Sequence, residues 1–213
     1  MLHSMQSLPW TTILICAAVE EELRSLRSLP PQFRMVTTGV GPVEAACSVA
    51  ELASSLEHPE STAVIFIGSC GSYDEAVPLL TPVACRDVCL RSDVLESAST
   101  YTPAVVPRVV NADPHLLQFL LSRQPESFRS VSMCSAFSIS TNCSERGEHE
   151  RGMFENLELF GVARACARRG IPWGSVSIVT NHCTPNAHSQ WNELRAVASE
   201  RTAELVQAIF CSR

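Results

Sequence analysis

Short apolar runs alternate along this chain with stretches whose apolar positions recur every three or four residues. Thr12 to Val19, Arg34 to Thr38, Ala63 to Gly68 and Trp173 to Thr180 read as strands, three of them ending near glycine or polar residues. Between them, Pro42 to Leu56 carries Val43, Ala46, Val49, Ala50 and Leu56 at helical spacing, with Pro42 suited to a first helical turn. Asp113-Pro114 ahead of His115 to Arg123 is a cap followed by proline, and Leu116, Leu117, Phe119 and Leu120 give that helix its buried side. Glu155 to Arg169, stopped by Gly170 and Pro172, and Gln190 to Ile209 complete the helices. This alternation predicts an α/β fold.

The segment Val83 to Pro107 is less regular, with Thr, Pro and Ser turns, and is expected to supply strands and a loop near the sheet edge. Met1 to Pro9 carries no pattern and reads as a flexible end, which leaves residues 10–213 as a single domain. A chain of 213 residues that is 46% hydrophobic can bury one sizeable core.

Charge narrows the partners. A formal net charge of -6 provides no basic stripe for nucleic acid or for an anionic membrane surface, so a small molecule is the expected ligand. All 16 basic side chains are arginine, which excludes a Schiff-base lysine and the lysine of a phosphate-binding loop. The 10 cysteines form no Cys-x-x-Cys pair, and several lie in apolar runs where a thiol acts as a small hydrophobe. That usage fits a reducing cytoplasm without a zinc site, and neither metal nor cofactor is expected. His182 and His188 match no zinc spacing and read as loop residues. The run Ile13 to Val19 is too short to cross a bilayer and leads straight into Glu20-Glu21-Glu22, as a buried strand would.

The same three glutamates are the first candidates for chemistry. They follow a buried strand, at the edge where open α/β sheets place ligands, although a solvated first helical turn would also favour glutamate. Thr38-Gly39-Val40-Gly41-Pro42 joins a strand to a helix and could let backbone N–H groups approach a ligand, or could simply be a tight turn. Gly68-Ser69-Cys70-Gly71-Ser72 adds a second small-residue segment after the most apolar strand. Glu158 stands among Leu157, Leu159, Phe160 and Val162; a buried carboxylate there needs hydrogen-bond donors, and the paired hydroxyls of a ribose are suitable, whereas an exposed helical glutamate needs none. Asn181 ends the strand Val176 to Val179 and is either a neutral ligand-facing amide or a turn residue.

In this order Ala18-Val19-Glu20-Glu21-Glu22, Thr38-Gly39-Val40-Gly41, Ile67-Gly68-Ser69-Cys70-Gly71, Glu155-Asn156-Leu157-Glu158 and Val179-Thr180-Asn181 resemble the methylthioadenosine/S-adenosylhomocysteine nucleosidase and futalosine hydrolase family of the nucleoside phosphorylase superfamily. The resemblance runs from about residue 12 to 209. It implies a three-layer α/β/α sandwich around a mixed, partly closed sheet, assembled as a homodimer and acting on a purine nucleoside. It also implies roles: Glu22 activates the water that attacks C1′, Glu158 with Asn156 and Leu157 holds the ribose, and Asn181 faces purine N7. Ser69, Cys70 and Gly71 would line the base, with Phe137 stacking on it.

Two departures choose among the branches. Nucleosidases of adenosine derivatives keep aspartate where this chain has Asn181, and an amide suits the O6 and N7 acceptors of hypoxanthine, as in futalosine hydrolases. The phosphorylases carry an arginine where this chain has Phe66, which favours water over phosphate as nucleophile, while Arg24 beside Glu22 leaves an anion site conceivable. The resulting expectation is hydrolysis of futalosine to hypoxanthine and dehypoxanthine futalosine in menaquinone biosynthesis. The alternatives are a methylthioadenosine/S-adenosylhomocysteine nucleosidase, a phosphate-dependent phosphorylase and a non-catalytic nucleoside-binding protein.

Overall fold

Alternation along the first strands divides their side chains between two cores. In β1 (Thr12–Ala17) Ile13, Ile15 and Ala17 face one way and Leu14 and Cys16 the other; in β3 (Thr62–Ser72) Ala63, Ile65 and Ile67 oppose Val64, Phe66 and Cys70. All of these side chains are buried, so both faces of the sheet must be covered. Helices α2 (Pro42–Ser54) and α4 (Leu159–Arg169) cover the Leu14 and Phe66 face; α1 (Glu20–Leu23), α3 (Pro114–Ser122) and α5 (Ala187–Cys211) cover the other. The three-layer sandwich expected from the sequence is therefore present. The computed structural model describes residues 9–26, 29–91, 101, 103–123, 128–142 and 153–211, so the end expected to be flexible lies, apart from Pro9, outside the described residues.

The remaining strands are β2 (Phe33–Thr37), β4 (Pro82–Leu90), β5 (Val109–Asn111), β6 (Arg129–Ser135), β7 (Met153–Glu155) and β8 (Trp173–His182). β8 runs parallel to β3 and antiparallel to β4; β4 runs parallel to β6, β6 parallel to β7, and β7 returns antiparallel to β3. These five strands close a ring, with β1 and β2 extending it beside β3 and β5 beside β4. Closure leaves the ring strands without free edges.

Three expectations need correction. The segment from Val83 holds β4, which sits within the ring rather than at an edge, because it pairs with β5, β6 and β8. The helix expected from Glu155 starts only at Leu159: Glu155 ends β7, paired with Gly71, and the Asn156 side chain then accepts hydrogen bonds from the Glu158 and Leu159 N–H groups. The last helix starts earlier than expected, at Ala187.

Two local features shape the ligand edge. The β3–β8 register pairs Cys70 with Val179 but Gly71 with Asn181, so Thr180 is the extra residue of a bulge that re-aims Asn181. Gly161 lets α4 cross the start of α2 so closely that a Cβ on it would lie 2.1 Å from the Pro42 carbonyl oxygen.

Candidate active site

β1, β2, β3, β7 and β8 contribute to one edge of the sheet, where ligands bind in open α/β folds. A cleft of ≈ 830 Å³ opens there, lined among others by Val19, Glu22, Gly68, Ser69, Glu158, Asn181 and Trp191. Each polar group in it is placed by an identifiable local device.

Of the three glutamates after β1, Glu20 and Glu21 stay in solvent and pair with Arg24 at 4.0 and 3.4 Å, as a solvated helical turn would. Glu22 alone turns inward. Its Oε2 accepts the Val19 N–H at 3.4 Å, and its other oxygen lies over Gly68, where an added Cβ would stand 3.2 Å away. Burial pushes its carboxyl up to about 7; backbone N–H groups, Val19 foremost, counter this, and the Glu158 carboxylate adds to it. At neutral pH Glu22 is thus poised between its two protonation states.

Glu158 is 5% exposed and also raised above the usual carboxylate range, chiefly by burial. Its Oε1 accepts the Gly41 N–H at 2.9 Å, so the Thr38 to Gly41 segment holds this carboxylate. Gly39 and Gly41 have φ of +83° and +91°, a region L side chains rarely adopt, which gives both glycines a conformational reason. Asn156 braces the other side: its Nδ2 donates to the Ser69 carbonyl at 3.0 Å and its Oδ1 accepts from the N–H groups of Glu158 and Leu159 at 3.0 and 2.8 Å. Both ends of its amide are bound to protein, and Asn156 lines the cleft beside Glu158.

Asn181 is 7% exposed. The Thr180 hydroxyl donates to its Oδ1 at 3.0 Å, which fixes the amide with Nδ2 beside Gly71; the bond from Nδ2 to the His182 carbonyl is long, 3.4 Å. Asn181 therefore lines the cleft with its Oδ1 held by the Thr180 hydroxyl and its Nδ2 in only one long bond. Phe66, by contrast, is buried in the core, so an aromatic ring occupies that place in the strand.

Of the residues expected to form the site, Glu22, Ser69, Cys70, Gly71, Asn156, Leu157, Glu158 and Asn181 line this cleft. Phe137 does not. It lies beyond the end of β6, 67% exposed, and Ile139 faces the cleft from the same loop. Glu155 was missed as a cleft residue: buried in the cleft wall, it accepts from the Ser140 N–H at 2.8 Å, the Ser140 hydroxyl at 2.5 Å and the Tyr73 hydroxyl, and so ties the Ile139 loop to β7. Trp191 and Arg195 on α5 were missed as well, because a helix pattern does not reveal which face meets the β3 end. His182 and His188 are not loop residues as expected: His182 ends β8 and is bonded to the Val77 carbonyl, and His188, in the first turn of α5, lines the cleft and is bonded to Asn192.

Residues 32–210 match the family model described as Phosphorylase superfamily. The chain belongs to the phosphorylase superfamily. No curated protein matches it in sequence. Among solved structures it resembles the 5′-methylthioadenosine/S-adenosylhomocysteine nucleosidase of S. pneumoniae with a transition-state inhibitor, at 19% identity and TM-score 0.78 over 93% of this chain and 98% of that one. A futalosine hydrolase mutant of Helicobacter pylori strain 26695 superposes with TM-score 0.79 at 12% identity, covering 93% and 98%. A point mutant of the Helicobacter pylori nucleosidase with 5′-methylthioadenosine in its active site gives 0.78 at 13%, covering 93% and 97%. These likenesses establish the shared fold of this superfamily member.

Proposed function

We propose that this phosphorylase-superfamily chain cleaves the N-glycosidic bond of a 6-oxopurine nucleoside with water, and that the nucleoside is futalosine, giving hypoxanthine and dehypoxanthine futalosine in menaquinone biosynthesis. What carries the reading is one cleft that holds two buried carboxylates, Glu22 and Glu158, and a donor amide, Asn181. Glu158 keeps an oxygen for ribose hydroxyls while Gly41 holds its Oε1. Glu22, balanced near pH 7, takes the proton of the water that attacks C1′. Asn181 donates to the departing base, and with Oδ1 held by Thr180 it meets an acceptor such as N7 or O6 better than a 6-amino group. Ser69, Cys70 and Gly71, near the end of β3, and Leu157 complete the walls.

Water is favoured over phosphate because Phe66, in the place of the phosphorylase arginine, is buried among apolar residues. A homodimer belongs to the same proposal: exposed Val40 and Ile139 stand at the cleft and would be buried under a second copy. The second reading, a methylthioadenosine/S-adenosylhomocysteine nucleosidase, draws support from the names of the matched structures. Release of free base from futalosine, methylthioadenosine and S-adenosylhomocysteine, each with and without phosphate, separates these readings. Futalosine is expected to be preferred and phosphate to be unnecessary, and Asn181→Asp is expected to move the preference toward the adenosine substrates. Strict phosphate dependence, or a native preference for methylthioadenosine, would overturn the reading.

A further inference from the structure

Ile139 brings an apolar side chain to the cleft from a segment that burial does not hold. Residues 136–142 leave β6 after Ser135 without regular structure; Phe137 and Ile139 there are 67% and 49% exposed, and Ser138 and Thr141 are exposed as well. A half-exposed isoleucine keeps its place only where the backbone beside it is fixed, because the hydrophobic effect is non-directional. The fixing point is one residue away, at Ser140.

Glu155 supplies it. This residue ends β7 opposite Gly71 of β3, is 4% exposed, and lines the same cleft as Ile139. Its carboxylate takes both donors of Ser140, one on each oxygen: Oε1 accepts the N–H at 2.8 Å and Oε2 the hydroxyl at 2.5 Å. The Tyr73 hydroxyl donates to Oε2 as well and stands 3.1 Å from the Ser140 hydroxyl. Burial first, then Cys134 and Glu155 beside it, hold the Tyr73 phenol well above its ordinary value, so it remains a donor. Tyr73 is itself fastened: its N–H donates to the Met153 carbonyl at 3.2 Å, and the Arg91 guanidinium lies over its ring at 5.3 Å. The paired ends of β3 and β7 therefore hold Tyr73 and Glu155, and Ser140, 15 residues before Glu155 in the chain, hangs from them. Hydrogen bonds to a carboxylate are stronger than neutral ones, and a buried carboxylate stripped of donors is costly, which penalises any position of the segment that takes Ser140 away.

We propose that Glu155 is a positioning residue for ligand binding: through Ser140 it holds Ile139 in the cleft wall, so that a bound nucleoside covers the exposed half of the isoleucine. This rests on the nucleosidase reading above and adds a residue outside the set of Glu22, Glu158 and Asn181. Glu155 acts on the strength of binding and leaves the step at C1′ to Glu22, so its signature is a change in KM without an equal change in kcat.

The test measures kcat and KM for base release from whichever of futalosine, methylthioadenosine and S-adenosylhomocysteine the native protein cleaves best. The variants are Glu155→Gln, Ser140→Ala, Ser140→Thr, Ile139→Ala and the double variant Glu155→Gln with Ile139→Ala, and amide hydrogen exchange follows residues 136–140 in each. Glu155→Gln and Ile139→Ala are each expected to raise KM about fivefold, the weight of leaving roughly half an isoleucine uncovered, with kcat within about twofold of native. The double variant should be no worse than either single one, since both remove the same contact, whereas independent effects would multiply to about 25-fold. Ser140→Ala should follow Glu155→Gln, while Ser140→Thr, which keeps the hydroxyl, should stay near native. Ser140 is only half-buried, so its variants test the hold even where Glu155→Gln fails to fold. Exchange at 136–140 should quicken in Glu155→Gln and Ser140→Ala, with β3 and β7 unchanged. Multiplying effects in the double variant overturn the proposal, because Glu155 then acts independently of Ile139. Faster exchange with an unmoved KM overturns it too and leaves the residue a folding role. Native turnover with KM unmoved in every variant sinks this inference alone; native protein that releases base from none of the three nucleosides sinks the nucleosidase reading and this inference with it.

Discussion

The residue proposed to activate water also weakens the fold above neutral pH, and Glu22→Gln should expose that tension. In the folded chain the Glu22 carboxyl is raised from 4.5 to about 7, chiefly because burial penalises its charge. The unfolded chain releases this proton near 4.5 while the native chain keeps it until about 7. A raised acid therefore contributes nothing adverse below the unfolded value, costs stability progressively through the window between the two, and costs a constant amount above it. At about 1.4 kcal/mol per pKa unit, the loss between pH 5 and pH 8 is about 2–3 kcal/mol for this one group. Glutamine has no charge to desolvate and keeps an oxygen for the Val19 N–H, so the variant should escape the loss. Urea unfolding at pH 5 and pH 8 reads this directly. The native midpoint should fall with pH about 1 M further than that of the variant, if the urea dependence is about 2–3 kcal/mol/M. Base release should drop by about 10²-fold or more, the usual weight of a general base, and the native rise of kcat/KM with an apparent pKa near 7 should vanish. Parallel pH dependences of stability in the two proteins would refute the claim that Glu22 is buried and raised, whatever happened to the rate.

The glycines give two sharper contrasts. Gly161→Ala puts a methyl group 2.1 Å from the Pro42 carbonyl oxygen and must push α4 from α2, so a loss of about 3 kcal/mol or more is expected in chemical unfolding, against about 1 kcal/mol for Gly170→Ala, where only the positive φ of +66° objects. Gly68→Ala should instead spare stability and damage turnover: its Cβ meets Glu22 Oε1 at 3.2 Å, which displaces the carboxylate, so steady-state kinetics should show kcat reduced about tenfold or more with KM little changed.

What the sequence determined by itself was four of the eight strands, the longer helices and the burial of both sheet faces. Ile13, Ile15 and Ala17 against Leu14 and Cys16 is a period of two with both phases apolar, and only a strand covered on both faces buries such a run. Motif order placed Glu22 and Asn181 at strand ends and Glu158 in a helix; the three line one cleft because β1, β8 and the β7–α4 connection all end at the same edge of the sheet. Tertiary structure decided the rest. Three adjacent glutamates are indistinguishable as letters, and only the space above Gly68 sends the third inward while Arg24 keeps the others in solvent. Ring closure through β4 and β8 depends on pairings far apart in the chain, which local pattern does not encode. The brace that Asn156 forms between Ser69 and Glu158 is not visible in the letters, and Trp191 with Arg195 reads as ordinary helix until α5 is laid against Ser69. Periodicity tells which residues are buried, while direction, partners and charge state follow from what long-range packing brings beside them.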